Sequence, residues 1–320
     1  MSTAVAERPG GVQELCLVQV QVSQGEVVKI FTDKGTMEVY FRLPSIKLSS
    51  GQRKNYHNGE TAITVKLKNG KISIRAKTAE LEDILKGAEV AGRLFVFILY
   101  KLSAGAQKTF SFEINEYFEF IGKQRSSKGM ATLEKALQFL SCCTFDYETF
   151  VNGKTLQGSG GMGYSIERLV NPRTGKKTDR KTVELYVPWA TAFIDNTDKN
   201  NQFMLIDANV FKQDLRPQQL AAKLMERYSN NRVNRKSDFE TISVKHLLKT
   251  IYCPEEDVLK KKKGRYVEQL LADLETLLEE NLFEYTLLFD EHNCSNDYYM
   301  DSIRFRPCNI YIRKTTNQKG

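Results

Sequence analysis

Ile114-Asn-Glu-Tyr-Phe-Glu-Phe-Ile-Gly122-Lys-Gln-Arg-Ser-Ser-Lys-Gly129-Met-Ala-Thr-Leu-Glu-Lys-Ala-Leu-Gln-Phe-Leu140 is the stretch on which the fold turns. Residues 114–121 read as a short helix, residues 122–129 as a polar, glycine-bearing turn, and residues 130–140 as a second helix. Met130, Leu133, Leu137 and Leu140 fall on one face of that helix, with Lys135 and Gln138 opposite. A related order returns downstream. Residues 244–251 lead through Lys260-Lys-Lys-Lys-Gly-Arg265 into residues 267–278, where Val267, Leu270, Leu271, Leu274, Leu277 and Leu278 give the strongest helical periodicity in the chain.

Each helix pair is followed by strand signals. Residues 144–151 turn at Asn152-Gly153, and residues 164–170 and 182–187 extend that sheet. Loops are expected at 157–163 and 171–181, the second being a wing-like basic tip. Residues 283–289 and 303–306 make the closing hairpin of the second copy. Upstream, residues 78–86 begin a helical section. The apolar run 93–102 suits a buried helix, because 80–102 lacks proline and the run ends at Ser103-Ala-Gly105. Helix, basic turn, helix and hairpin is the order of a winged helix-turn-helix, which lays its second helix in the DNA major groove. The fold class expected is α+β, with two winged helix-turn-helix domains in tandem after a small antiparallel β region.

That β region rests on alternation. Val18, Val20 and Val22 alternate with glutamines, and strands are expected at 27–31, 37–43, 62–67 and 72–75, with Asn58-Gly59 and Asn69-Gly70 as turns. The expected organisation is a disordered leader at 1–11, the β region at 12–85, a first winged domain at 86–195 and a second at 196–320.

Composition bounds the function. The chain has 320 residues, a formal net charge of +8 and 41% hydrophobic residues, with a pI near 9.0. It is too apolar for a disordered tail and basic enough to favour a polyanionic partner. The charge is patterned: Lys and Arg gather at the two turns, whereas Glu275, Glu279, Glu280 and Glu284 cluster further on. The six cysteines show neither a CxxC pair nor metal-ligand spacing, which suits a reduced, cytoplasmic compartment. No stretch approaches a membrane span, and residues 1–11 lack an apolar signal core.

Catalysis finds no support. Gly158-Ser-Gly-Gly-Met-Gly163 satisfies GxGxxG, but strand-forming residues follow it where a dinucleotide site needs a helix N-terminus. His57, His246 and His292 are far apart, so no histidine pair holds a metal for tyrosine-based nicking. No enzyme activity, metal site or cofactor is expected.

The basic turns carry the candidate DNA contacts. These are Lys123, Arg125, Ser126, Ser127 and Lys128 in the first copy, and Lys260, Lys261, Lys262, Lys263, Arg265, Tyr266 and Gln269 in the second. Arg173, Lys176 and Lys177 at the wing-like tip join them, with Arg235 and Lys236 in a polar connector. Donors at the front of a recognition helix reach base edges and phosphates, Arg suiting guanine and Gln adenine.

The order of parts over about residues 86–315 resembles the plasmid replication initiators with tandem winged-helix domains, the iteron-binding Rep proteins. The best stretch is Val183-Glu-Leu-Tyr-Val-Pro-Trp189, a linker, and then residues 220–228, 239–248 and 267–285. Where that family opens its second winged domain with an Arg-Leu-Tyr-Glu-Leu-Leu-like helix, this chain has Lys223-Leu-Met-Glu-Arg-Tyr228, sharing the basic residue, Leu224 and Glu226. The resemblance implies a sequence-specific double-stranded DNA-binding initiator. Such proteins bind repeated origin sites chiefly through the second domain, help open the duplex and recruit host replication proteins. It also implies a homodimeric form that represses its own promoter. A winged-helix repressor and a protein-interaction scaffold are the alternative readings.

Overall fold

The computed structural model describes residues 18–22, 27–31, 34–46, 60–67, 70–151, 154–170, 173–175, 177–188, 203–230, 237–253, 255–289 and 300–314. Residues 31–202 form one compact unit, and residues 1–30 with 203–320 form the other. The first two strands, β1 (Val18–Val22) and β2 (Val27–Phe31), sit in no local β region. β1 pairs antiparallel with Ile310–Lys314, Val18 opposite Lys314, and β2 lies beside Phe203–Asp207. Alternation identifies a strand, but it does not name the partner.

The unit of residues 31–202 begins with α1 (Lys34–Arg42), which closes in a 3₁₀ turn at Leu43–Ser45. This corrects the strand expected at 37–43. Met37, Tyr40 and Phe41 are buried at helical spacing, and Val39 between them supplied the misleading alternation. The hairpin β3 (Glu60–Leu67) and β4 (Gly70–Lys77) is followed by α2 (Thr78–Leu85) and α3 (Ala88–Ser103). Then come β5 (Thr109–Glu113), α4 (Ile114–Phe120) and α5 (Ser127–Ser141). Four strands end the unit's described part: β6 (Cys143–Val151), β7 (Lys154–Gly160), β8 (Gly163–Val170) and β9 (Lys177–Tyr186). One sheet has the order β3-β4-β6-β7 and another β5-β9-β8. Thus β3 and β4 extend the sheet that follows α5, and residues 12–85 are not a separate region. The expected loop at 157–163 is also revised: Gly158 and Gly160 lie in β7, opposite Tyr147 and Phe145. The glycine run passes from strand to strand, with no helix N-terminus behind it.

Helix α3 is the hub of this core. Leu94, Phe95, Val96, Phe97, Ile98 and Leu99 are all buried, which explains a segment without a polar face. Gly87, just before α3, lets the backbone approach α5 closely: a Cβ built there would lie 2.3 Å from the Lys135 carbonyl oxygen.

In the other unit, β10 (Phe203–Asp207) precedes α6 (Leu215–Asn230) and β11 (Glu240–Ser243). Helix α7 (Val244–Leu247) continues as a π turn at Leu248–Tyr252, and α8 (Glu256–Lys261) and α9 (Lys263–Glu279) follow. Strands β12 (Phe283–Phe289), β13 (Met300–Pro307) and β14 (Ile310–Lys314) complete it. Val267, Leu270, Leu274 and Leu277 of α9 are buried, each worth about 1.5–3 kcal/mol when taken from water. Leu278, expected on that face, is 47% exposed.

The two units repeat one plan. With β6 and β7 inserted after α5, and α8 before α9 and β14 at the end of the other unit, both run through a long helix (α3 or α6), a strand (β5 or β11), a short helix (α4 or α7), a long helix (α5 or α9) and two strands (β8 and β9, or β12 and β13). In both three-stranded sheets, the strand that comes last in sequence lies centrally between the other two: β5-β9-β8 and β11-β13-β12.

Candidate nucleic-acid interface

In the first unit an aromatic cluster seats α4. The Phe97 ring meets Phe112, Tyr117 and Phe120 edge-on at 4.9, 5.5 and 5.2 Å, and Tyr100 stacks on Phe120 at 5.1 Å. Helix α4 ends at Gly122, whose φ is 64°. The Lys123 N–H donates to the Phe118 carbonyl at 2.9 Å and the Gly122 N–H to that of Glu119 at 3.0 Å, the paired bonds of a Schellman cap.

Helix α5 begins three residues before the expected 130. Ser126 caps it, its Oγ accepting from the Gly129 N–H at 3.0 Å. A Cβ on Gly129 would stand 2.8 Å from Phe118 Cε1, so the two helices close tightly at that glycine. The turn is therefore fixed at both ends. Lys123, Ser126, Ser127 and Lys128 are exposed and Arg125 partly so. Arg125 Nη1 donates to Asn115 Oδ1 at 3.4 Å. Lys135 instead pairs with Asp83 at 3.2 Å, away from this end. At the tip between β8 and β9, Arg173 is exposed in a turn closed by Gly175 at φ 65°. Lys177 begins β9, while Lys176 lies outside the described residues, as do Arg235 and Lys236.

In the second unit the expected basic turn is largely helical. Lys260 and Lys261 end α8, Lys262 is the corner between helices at φ −122° and ψ 23°, and Lys263, Gly264 and Arg265 form the first turn of α9. Leu259, Lys260 and Lys261 are good helix formers and carry α8 up to the corner, where the sequence alone suggests a turn. Lys260, Lys261, Lys262, Lys263 and Arg265 are all exposed, whereas Tyr266 and Gln269 are partly covered. Burial, together with Cys253, pushes the Tyr266 hydroxyl pKa up.

The charge on α9 runs against its own dipole. Its first turn holds no acidic residue and its last turn no basic one. Lys263 and Arg265 stand at the positive end, and Glu275 and Glu279 towards the negative end. Each misplaced charge costs about 0.3–1 kcal/mol in water-exposed helices. Helix α5 likewise has no acid in its first turn, where Lys128 sits.

Beside the front of α9 lies a cleft of about 380 Å³ that the sequence reading missed. Val244, Leu248, Leu259 and Met300 supply its buried apolar floor. Its rim carries Lys245, Lys249, Lys260 and Lys263 with Glu256 and Asp301. The spacing of Lys245 and Lys249, one helical turn apart, was the available signal.

No protein-family model matches this chain, and no curated protein matches it. Solved structures of RctB do. Domains 2 and 3 of RctB, in selenomethionine form, align with a TM-score of 0.47 at 9% identity, over 87% of this chain and 98% of that one. A second structure of RctB domains 2–3 aligns with a TM-score of 0.41 at 11% identity, over 82% and 94%. Among the described residues, no helix is long and apolar enough to cross a membrane.

Proposed function

We propose that this chain binds double-stranded DNA sequence-specifically through two winged helix-turn-helix units, α5 and α9 acting as recognition helices, and that it acts as a replication initiator on repeated origin sites. The observation that carries the reading is the inverted charge of α9. A helix whose first turn carries Lys263 and Arg265 and no acidic residue of its own is arranged to meet an anion. The repeated plan of the two units supports the winged-helix assignment, since its central last strand and its helix order are those of the motif. The resemblance to the iteron-binding initiators supports origin repeats, host replication proteins and a homodimeric form as partners. Arg265 and Gln269 are assigned to bases, and Lys261 and Lys262 to phosphates.

The test is selection of bound duplexes from a random pool, followed by affinity measurements over a salt series. Direct repeats among the selected sequences are expected, with affinity falling steeply as salt rises. Arg265→Ala and Gln269→Ala should each cost about 1–3 kcal/mol of discrimination, whereas Lys261→Ala and Lys262→Ala should weaken all duplexes alike. Selection of a lone inverted repeat would move the reading to a repressor. Absence of duplex binding at low salt would replace DNA with a protein partner.

A further inference from the structure

The cleft beside α9 gathers four ammonium groups against two carboxylates. Lys249 Nζ lies 3.1 Å from Glu256 Oε1. Lys249, then Lys260 and Lys245, hold the Glu256 carboxyl below its usual range, so all three cations act on one point. That point already contains an anionic group, and it is the protein's own. Glu256 is exposed at the start of α8, and a water-exposed ion pair is weak enough to exchange for a competing anion. The apolar floor keeps water from one side of the lysines, which strengthens their pull on whatever sits above it. The volume falls within the range of about 300–1,000 Å³ typical of ligand sites.

We propose that this cleft is a phosphate seat, in which the Glu256 carboxylate occupies the anion's place until a phosphate group displaces it from Lys249. A phosphate offers more charge than a carboxylate and more acceptor oxygens, so it can engage Lys245, Lys249 and Lys260 together. Lys263 belongs both to the cleft and to the first turn of α9. A duplex seated on that turn therefore brings backbone phosphates to the cleft. Only this choice of source rests on the function proposed above; the chemistry of the seat does not.

The full chain, Glu256→Gln and the double variant Lys245→Ala/Lys249→Ala are compared, with far-UV circular dichroism verifying that all three fold. Each is titrated with a labelled random duplex over a salt series, and separately with inorganic pyrophosphate in a calorimeter. Glu256→Gln should tighten duplex binding several-fold, and the double variant, which removes one phosphate contact, should flatten the salt slope by about one. Pyrophosphate binding that is lost in the double variant while duplex binding is unaffected assigns the seat to free phosphates. A wild-type chain that ignores duplex but binds pyrophosphate through these lysines keeps the seat and removes the DNA reading. Equal duplex affinity, equal salt slope and equal pyrophosphate behaviour in all three proteins overturn the proposal, as does failure of the wild type to bind either probe.

Discussion

Replacing Gly87 with alanine sets two effects of opposite sign against each other. The residue has φ −74° and ψ −20°, a conformation alanine adopts readily. On chain entropy alone the change should stabilise by about 0.4–1 kcal/mol. The new Cβ, however, would meet the Lys135 carbonyl oxygen at 2.3 Å, its carbon at 2.8 Å and Phe139 Cβ at 3.0 Å. Two of those three atoms are backbone, so no rotamer change relieves them. Relief requires α5 to move by roughly 1 Å to regain ordinary contact distances, and overpacking of a close-packed core typically costs about 1–3 kcal/mol. A net loss of about 1–2 kcal/mol is expected. Gly264 is the control: it lies in the first turn of α9 with nothing within 4 Å of its added Cβ, so Gly264→Ala should gain about 0.5–1 kcal/mol. Because the chain has two units, hydrogen exchange under increasing denaturant is the suitable assay, as it reads α3 and α5 separately from α9. Neutral or raised protection in α3 and α5 of Gly87→Ala would refute the steric argument, since the helices would then have room to spare.

Two further outcomes are expected. The Gln218 side-chain amide is fully buried with neither its nitrogen nor its oxygen hydrogen-bonded, so Gln218→Leu should raise stability by about 1–3 kcal/mol in denaturant melts; a loss would reveal a buried water serving the amide. Burial holds the Asp273 carboxyl above its usual range, although its Oδ2 accepts a 2.6 Å bond from the Tyr252 hydroxyl. The folded state thus binds this proton more tightly than the unfolded chain, so its stabilising contribution is complete in acid, below the ordinary carboxylate range, and is lost as pH rises through the raised value. Asp273→Asn should exceed the wild type in stability at neutral pH and match it in acid, and melts across that range showing a constant difference would contradict the assignment.

Much of the helical plan could be read locally. Ile114 to Leu140 and Val267 to Leu277 reveal their helices because a buried face repeats every turn, and glycine and serine mark the ends. Three things were not legible. Met37, Val39, Tyr40 and Phe41 satisfy both strand and helix spacing, and only the surrounding core decides between them. The strands at 18–22 and 27–31 find partners far along the sequence, which no local pattern encodes. Lys260 to Lys263 read as one charge run, yet the corner at Lys262 divides it between two helices. That division helps explain why Lys245 and Lys249 went unnoticed: their connection to Lys260 exists only once the chain folds back over Glu256.

The pairing of β1 with β14 also bears on the order of assembly. Residues 31–202 interrupt the other unit, whose first strands leave the ribosome long before their partners. The interrupting unit has all of its described sheet partners in hand and can settle early, while Val18–Val22 waits for Ile310–Lys314. Closing so long a loop is slow. In the interval the early strands expose unpaired edges, the stage at which a chaperone or an aggregate would claim them.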